Sequence, residues 1–399
     1  MFTDDARTAM YREIDGLAPE LFAMADDIFD HPECGMEEFH AAGLLEDWLE
    51  KTGFQVERGV AGVETAFRAV WQTGSGGPNI GFLCEYDALP GLGHACGHHI
   101  QGPSILAAAK ALKDAPLSAP FTITVYGTPA EESVSGKIRM IQNGCTFEEL
   151  SVAFMMHGGP ATQVDVKSLA NAKLKIIFHG VSAHAALRPE KGRSALDAMI
   201  LAFQGIEFLR EHVNSDVKLH YTITNCGATP ANVVPAYCEA SMYVRSYNAA
   251  YLSSVVERVR KVFSGAAMMT ETEVEVMEEK RVDNKIPVLS LNELVMEEMR
   301  MAGAPRIRPA REKTGSTDFG NVMRRVPGTC ARIAFVEEGA AAHSQEYIAA
   351  GKTKEAHNAI LYGAKILAAS AARLIEDPEL LRAVQVEFRE KLEQENREA

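Results

Sequence analysis

The 399-residue chain has no CxxC pair, no run of lysines and arginines, no internal repeat and no low-complexity stretch. Without CxxC pairs, structural zinc ribbons and thioredoxin-like redox sites are excluded. The seven cysteines (Cys34, Cys84, Cys96, Cys145, Cys226, Cys238 and Cys330) are odd in number and too scattered for a secreted disulfide framework. A formal net charge of −14 with no basic cluster argues against nucleic acid and against anionic membrane surfaces as partners. Nowhere is there the apolar run of about 18 residues that a spanning helix requires. The N-terminal MFTDDARTAMYREIDG carries acids where a signal peptide needs a basic start and an apolar stretch. The expectation is a soluble, cytoplasmic protein.

What is present is the composition of a folded globular chain, with 47% hydrophobic and 24% charged residues. Single hydrophobic cores stop growing near roughly 250–300 residues, so this length predicts two domains. Residues 17–30 and 38–51 repeat apolar positions at helical spacing across the loop HPECGME. FQVERGV, TAFRAVWQ, NIGFLCEY and FTITVYGT read as short strands, and GPSILAAAKALKD as a helix between the last two. This alternation predicts an α/β sheet. From 171 to 281 the order is strand LKIIFHG, helix 194–213, strands LHYTITNC and YCEASMYVRS, helix 251–267 and strand EVEVMEE. That β-α-β-β-α-β order is a split-βαβ unit able to stand as a small ferredoxin-like domain. Residues 288–303 and 357–375 resume helical periodicity around a strand at 331–339. The predicted architecture is a two-domain α/β protein: a catalytic domain made of 1–170 and 282–399, with a lid domain, 171–281, inserted between them.

The densest chemistry lies in GHACGHH, residues 93–99. Cys96 and His98 stand two apart across Gly97, which permits a sharp turn, so thiolate and imidazole can face one ion of the zinc type. A buried structural cysteine beside a surface histidine is the competing explanation. Three more ionisable points follow strand-like segments, where α/β proteins assemble their sites. Glu131 and Glu132 follow FTITVYGTPA, and such a pair can divide into metal ligand and general base. Acids at a helix start would look the same. His157 ends SVAFMMH, and His343 sits among small residues in GAAAHS. Each alone is as compatible with a hydrogen-bonded structural histidine. Asp87, in EYDALP, is placed either to orient a ligating imidazole or to cap a turn.

Taken together, HPECGMEEF, EYDALPGLGHACGHH, PAEE, GVSAHAALRPEKGRSALDA and the late AAHS resemble, in order and spacing, the clan MH metallopeptidases of the aminoacylase type. The resemblance covers almost the whole chain. It is strongest to the branch containing auxin-conjugate, hippurate and aminobenzoyl-glutamate hydrolases, because peptidase relatives carry His-x-Asp where this chain has Glu85-Tyr86-Asp87. The resemblance implies two divalent ions per subunit, zinc or manganese. Their ligands would be Cys96, His98, Glu132, His157 and His343, with Asp87 as support and Glu131 as general acid/base. It also implies that His184, in VSAHAA, helps stabilise the developing oxyanion, and that Asn232 stands near the substrate carbonyl. Arg245, Gly315 and Ser316 would bind or line the substrate end. His99, where many relatives have Asp or Asn, is assigned there too. A homodimer or higher homo-oligomer through the lid is implied as well.

The function expected is metal-dependent hydrolysis of an N-acyl, N-aroyl or dipeptide-like amino-acid conjugate, a small-molecule substrate. One rival is hydrolysis of another C–N bond, such as deamination of an aryl amine, by the same activated water. A second is a catalytically silent binding protein on the same fold, which would have no need of a general base. A zinc nucleobase deaminase is excluded, since its H-x-E and P-C-x-x-C pair is absent.

Overall fold

The computed structural model describes residues 2–227 and 230–398. It divides into two compact units, Met1–Ser168 with Lys285–Leu392, and Leu169–Asn284 with Glu393–Ala399. The first strand of the second unit starts at Ala170, four residues before the expected LKIIFHG.

The first unit opens with helices α1 (Asp4–Gly16), α2 (Ala18–Asp30) and α3 (Phe39–Lys51). Strands β1 (Gln55–Arg58), β2 (Phe67–Thr73) and β3 (Asn79–Cys84) follow, then α4 (Gln101–Asp114), β4 (Phe121–Gly127), α5 (Gly136–Gln142), β5 (Val152–Gly159) and β6 (Gln163–Ser168). The inserted unit is β7 (Ala170–His179), α6 (Ala195–Leu209), β8 (Lys218–Asn225), β9 (Tyr237–Ser246), α7 (Ala249–Thr270) and β10 (Glu273–Val282). The chain then returns through α8 (Leu289–Met301), β11 (Arg311–Thr314), α9 (Phe319–Met323), β12 (Gly328–Ala334), α10 (Gln345–Ala350), α11 (Lys354–Glu376) and α12 (Pro378–Arg397). No described helix is long and apolar enough to cross a membrane.

The first unit is built on a mixed eight-stranded sheet of order β1-β2-β4-β3-β5-β12-β6-β11. Its centre, β4-β3-β5-β12, is parallel, and those strands are apolar on both faces because both are covered. One face carries α4 and α11, which cross closely because both are rich in small residues. A Cβ on Gly363 of α11 would meet Ser104 Oγ at 2.5 Å. On the other face Leu83, Tyr126 and Met155 pack against Phe147, Phe319 and Val322. The strand expected over 331–339 starts earlier, at Gly328, where it enters parallel register with Ala153, and it ends at Ala334.

In the inserted unit an antiparallel sheet of order β10-β7-β9-β8 carries α6 and α7 on one face. The alternation along β7 puts Leu174, Ile176 and Phe178 into that core, and Ser194 and Asn248 cap the two helices by accepting from the amides of Asp197 and Tyr251.

Candidate metal centre

Four parallel strands end side by side, and each delivers a candidate side chain at or beyond its carboxyl end, as doubly wound sheets do. After β3 come Glu85, Asp87 and the turn bearing Cys96 and His98. That turn is possible because Gly97 adopts φ +84°. After β4 come Glu131 and Glu132, preceded by Ala130 at φ +60°. His157 lies near the end of β5. Beyond β12 comes His343, whose amide donates to the Ala95 carbonyl at 3.0 Å.

The structure brings these residues together. The ligand atoms of Cys96, His98 and His157 lie within 4.8 Å of one another, as do those of Cys96, Glu132 and His343, and of His98, Glu131 and Glu132. Cys96 Sγ is 3.5 Å from His157 Nε2, and His343 Nε2 is 3.0 Å from Glu132 Oε1. Glu131, Glu132, Cys96, His157 and His343 line one cavity of about 350 Å³ with Gly315 and Ser316.

Asp87 is fully inside and serves two of these residues. Its Oδ1 takes the Nδ1–H of His98 at 2.9 Å, and its Oδ2 accepts from the Glu132 amide at 2.9 Å. In the neutral imidazole this bond leaves the lone pair on Nε2. That Nε2 is buried and makes no hydrogen bond among the described residues, although Glu85 Oε2 stands 3.4 Å away. His157 is set similarly, its Nδ1 lying 2.7 Å from the Gly158 carbonyl.

The electrostatics show what the cluster is built for. Burial would lower His98, but Cys96 and Asp87 outweigh it and push the imidazole well up, so the surrounding donors draw positive charge to this spot. Burial pushes the Cys96 thiol to about 12, and thiolate there needs a cation seated against it. Burial, followed by the charges of Arg332 and His98, brings His157 down to about 3, leaving it neutral as a ligand must be. Burial and the carboxylates of Glu85, Asp318 and Glu132 lift Glu131 to about 8. An orphaned imidazole nitrogen among S, N and O donors fits divalent metal.

Residues 81–373 match the model of peptidase family M20/M25/M40. The chain is also 35% identical to the Xaa-Arg dipeptidase of Mus musculus, over 96% of this chain and 92% of that protein. The chain belongs to peptidase family M20/M25/M40. It is a hydrolase of amide C–N bonds, in the branch the motifs resemble. A second family member, a p-aminobenzoyl-glutamate hydrolase subunit of Escherichia coli (strain K12), is 31% identical over 92% of this chain and 91% of that one. The crystal structure of a dinuclear metal-binding M20 peptidase of Bacillus subtilis superposes with a TM-score of 0.71 at 20% identity, covering 91% of this chain and 99% of that one, and so shares the fold.

Other expected site residues lie elsewhere. His184, Asn232 and Arg245 belong to the inserted unit. There Ala185 N donates to the Asn232 carbonyl at 2.9 Å, next to a bridge between His184 and Val233, so His184 and Asn232 are neighbours. His184 is exposed, and its Nδ1 accepts from the Ala186 and Leu187 amides. Arg245 lies over the Tyr243 ring at 5.5 Å, and its buried Nε has no hydrogen-bond partner among the described residues.

His99 does not line the cavity. It is buried against Phe29, ring centroids 4.9 Å apart, and its Nε2 is 2.8 Å from the Gly351 carbonyl. The reason is local: His98–Ile100 form a 3-10 turn, which rotates successive side chains by about 120°, so neighbours in sequence face apart.

Sequence reasoning missed two buried ion clusters bordering the site. Lys137 Nζ, wholly buried, donates to Glu85 Oε1 at 2.6 Å and to Asp318 Oδ1 at 2.7 Å. Asp165, equally buried, accepts from Lys285, Arg311 and Arg332. Missed too was Glu38, fully inside and accepting from the Ala130 amide at 2.8 Å and the Thr65 hydroxyl at 3.0 Å. A Cβ at Gly35 would collide with Ser133 and Ala130, so the HPECGMEE segment packs directly beneath the PAEE loop.

Proposed function

We propose that this protein hydrolyses the amide bond of an N-acyl, N-aroyl or dipeptide-like amino-acid conjugate, at a site of two divalent ions, zinc or manganese, with Glu131 as general acid/base. The observation that carries the reading is the His98 Nε2 without a hydrogen bond among the described residues, in overlapping clusters that join it through Cys96 and Glu132 to His157 and His343, with Glu131 beside them. Cys96, His98, Glu132, His157 and His343 would hold the ions. Divalent ions seated there polarise the amide carbonyl and acidify the attacking water.

The chain's own residues do the rest. Glu131 takes the proton from the attacking water and returns it to the leaving nitrogen, so one carboxyl serves as base and then as acid. Its environment suits both roles, because neighbouring carboxylates favour the protonated form once it is reached. Asp87 holds His98 and the Glu132 backbone in register. Gly315 and Ser316 line the substrate end. His184 is assigned to the developing oxyanion, Asn232 to the carbonyl and Arg245 to a substrate carboxylate, on the strength of the family motifs. His99 is assigned to packing. Homo-oligomerisation through the inserted unit belongs to the same reading.

The test is metal analysis coupled to a screen of N-acetyl, N-benzoyl, indoleacetyl, aminobenzoyl and β-alanyl conjugates. An amino acid and an acid are the expected products; ammonia as the sole amine product would favour deamination. Glu131→Gln is expected to lower kcat by about 10²-fold or more while keeping bound metal. Full turnover in that variant would remove Glu131 from the mechanism.

A further inference from the structure

The cationic cluster beside the candidate metal centre gathers three basic side chains on one carboxylate: Asp165 accepts from Lys285 Nζ at 3.0 Å, Arg332 Nε at 2.9 Å and Arg311 Nε at 2.9 Å. Two of the three are turned inward. Lys285 is buried, and Arg332 extends Nη1 to 3.1 Å from His157 Nδ1. Arg311 differs. It holds Asp165 through Nε alone, its side chain is 37% exposed, and its two terminal nitrogens make no hydrogen bond or ion pair among the described residues. A guanidinium anchored at Nε presents those nitrogens as a ready fork for a carboxylate.

Arg311 lines the cavity that contains Glu131, Glu132 and His343. So does Ser316, whose buried hydroxyl has no hydrogen-bond partner among the described residues. An anchored guanidinium fork and a buried hydroxyl without a partner supply two donors facing one cavity, and the buried hydroxyl is unfavourable until an acceptor arrives. Divalent ions held at the neighbouring centre would add positive charge and favour an anion further.

We infer that Arg311, with Ser316, forms a subsite for an anionic group of the substrate, so that conjugates bearing a carboxylate at that end, acidic amino-acid conjugates among them, are the preferred class. The inference rests on the amidohydrolase reading for the word conjugate, but the subsite itself can be tested without turnover.

The test uses the metal-loaded full chain and two probes that differ by one charge, glutarate and glutaramate, in titration calorimetry. Glutarate is expected to bind at least about tenfold more tightly, and Arg311→Gln to reduce that ratio toward one. Arg311→Lys is expected to keep part of the ratio, and Ser316→Ala to lower it less than Arg311→Gln does. Equal binding of the two probes by the wild type, or an unchanged ratio in Arg311→Gln, overturns the subsite. In parallel, kcat/KM is compared for N-benzoyl-glutamate and N-benzoyl-glutamine, and the preference for the charged conjugate is expected to shrink in Arg311→Gln. Turnover of both conjugates with no preference and no change in the probe ratio would leave the hydrolase standing and remove the subsite. A collapse of the probe ratio with no conjugate hydrolysed would support the subsite and remove the hydrolytic reading.

Discussion

The two buried ion clusters bordering the metal centre are opposites. At one, a single cation, Lys137, is shared by Glu85 and Asp318, leaving an excess of one negative charge. At the other, a single anion, Asp165, is shared by three cations, Lys285, Arg311 and Arg332. Burial, reinforced by Glu85 and Asp318 of the acid-rich cluster, pushes the Glu131 carboxyl up, and burial, reinforced by Arg332 of the base-rich cluster, pushes the His157 imidazole down. The comparison teaches that the site is polarised before anything binds: carboxyl groups are gathered on the flank of Glu131, and basic groups on the flank carrying Arg311.

The strongest way to break this comparison is Asp165→Asn. Burial would raise this carboxyl, but Arg332, Lys285 and Arg311 hold it far below the usual carboxylate range. Its stabilising contribution is therefore present throughout the neutral range and erodes only below about pH 4, as the unfolded carboxyl begins to bind protons. Removing the charge takes from the buried Arg332 guanidinium the carboxylate it donates to, and a guanidinium cannot shed its proton. A loss of about 3–5 kcal/mol in denaturant unfolding is expected. A loss below about 1 kcal/mol would show that the cluster is not stabilising as drawn.

Lys137→Met sharpens the other side. It strips the shared cation from Glu85 and Asp318, both wholly buried. Buried carboxyls can neutralise by taking up a proton, a relief the cations around Asp165 lack, so the expected loss is smaller, about 2–3 kcal/mol. The same unfolding measurement ranks the two variants, and the reverse order would contradict the charge count.

Much of this was legible in the sequence, and the part that was not shares one property. The alternation of strands and helices, and the β-α-β-β-α-β insertion, show in local periodicity because each element buries a face of its own. Cys96 and His98 are visible as a pair because two residues of one turn make it. Glu132, His157 and His343 were each ambiguous alone, since a strand-end acid or imidazole has an ordinary structural explanation; only their order along the chain singled them out. The ion clusters have no such local signature. Asp165, Arg311 and Arg332 come from separate strands and meet only when β6, β11 and β12 pair, and Lys285 joins them from the segment between β10 and α8, where its amide donates to Ser168 Oγ. His99 misled for the converse reason, adjacency in sequence on a 3-10 turn that separates neighbours in space.

Glu38 gives the smallest expected effect and the cleanest pH signature. In sequence it is one acid of the surface-like MEEF. In the fold it lies under Ala130, and burial, reinforced by Asp87, raises its carboxyl to about 7. A carboxyl whose folded value is raised binds more protons folded than unfolded, so its ionisation costs stability as pH rises from about 4.5 through 7, and the cost is constant above that. Glu38→Gln keeps an acceptor for the Ala130 amide and removes the ionisation. The variant is therefore expected to gain on the wild type by roughly 1–3 kcal/mol between pH 5 and pH 8 in denaturant unfolding. A gap that stays flat, or that widens toward acid, would mean that Glu38 remains ionised beneath the PAEE loop. Its contacts to Ala130 and Thr65 would then be those of a carboxylate rather than of a neutral acid.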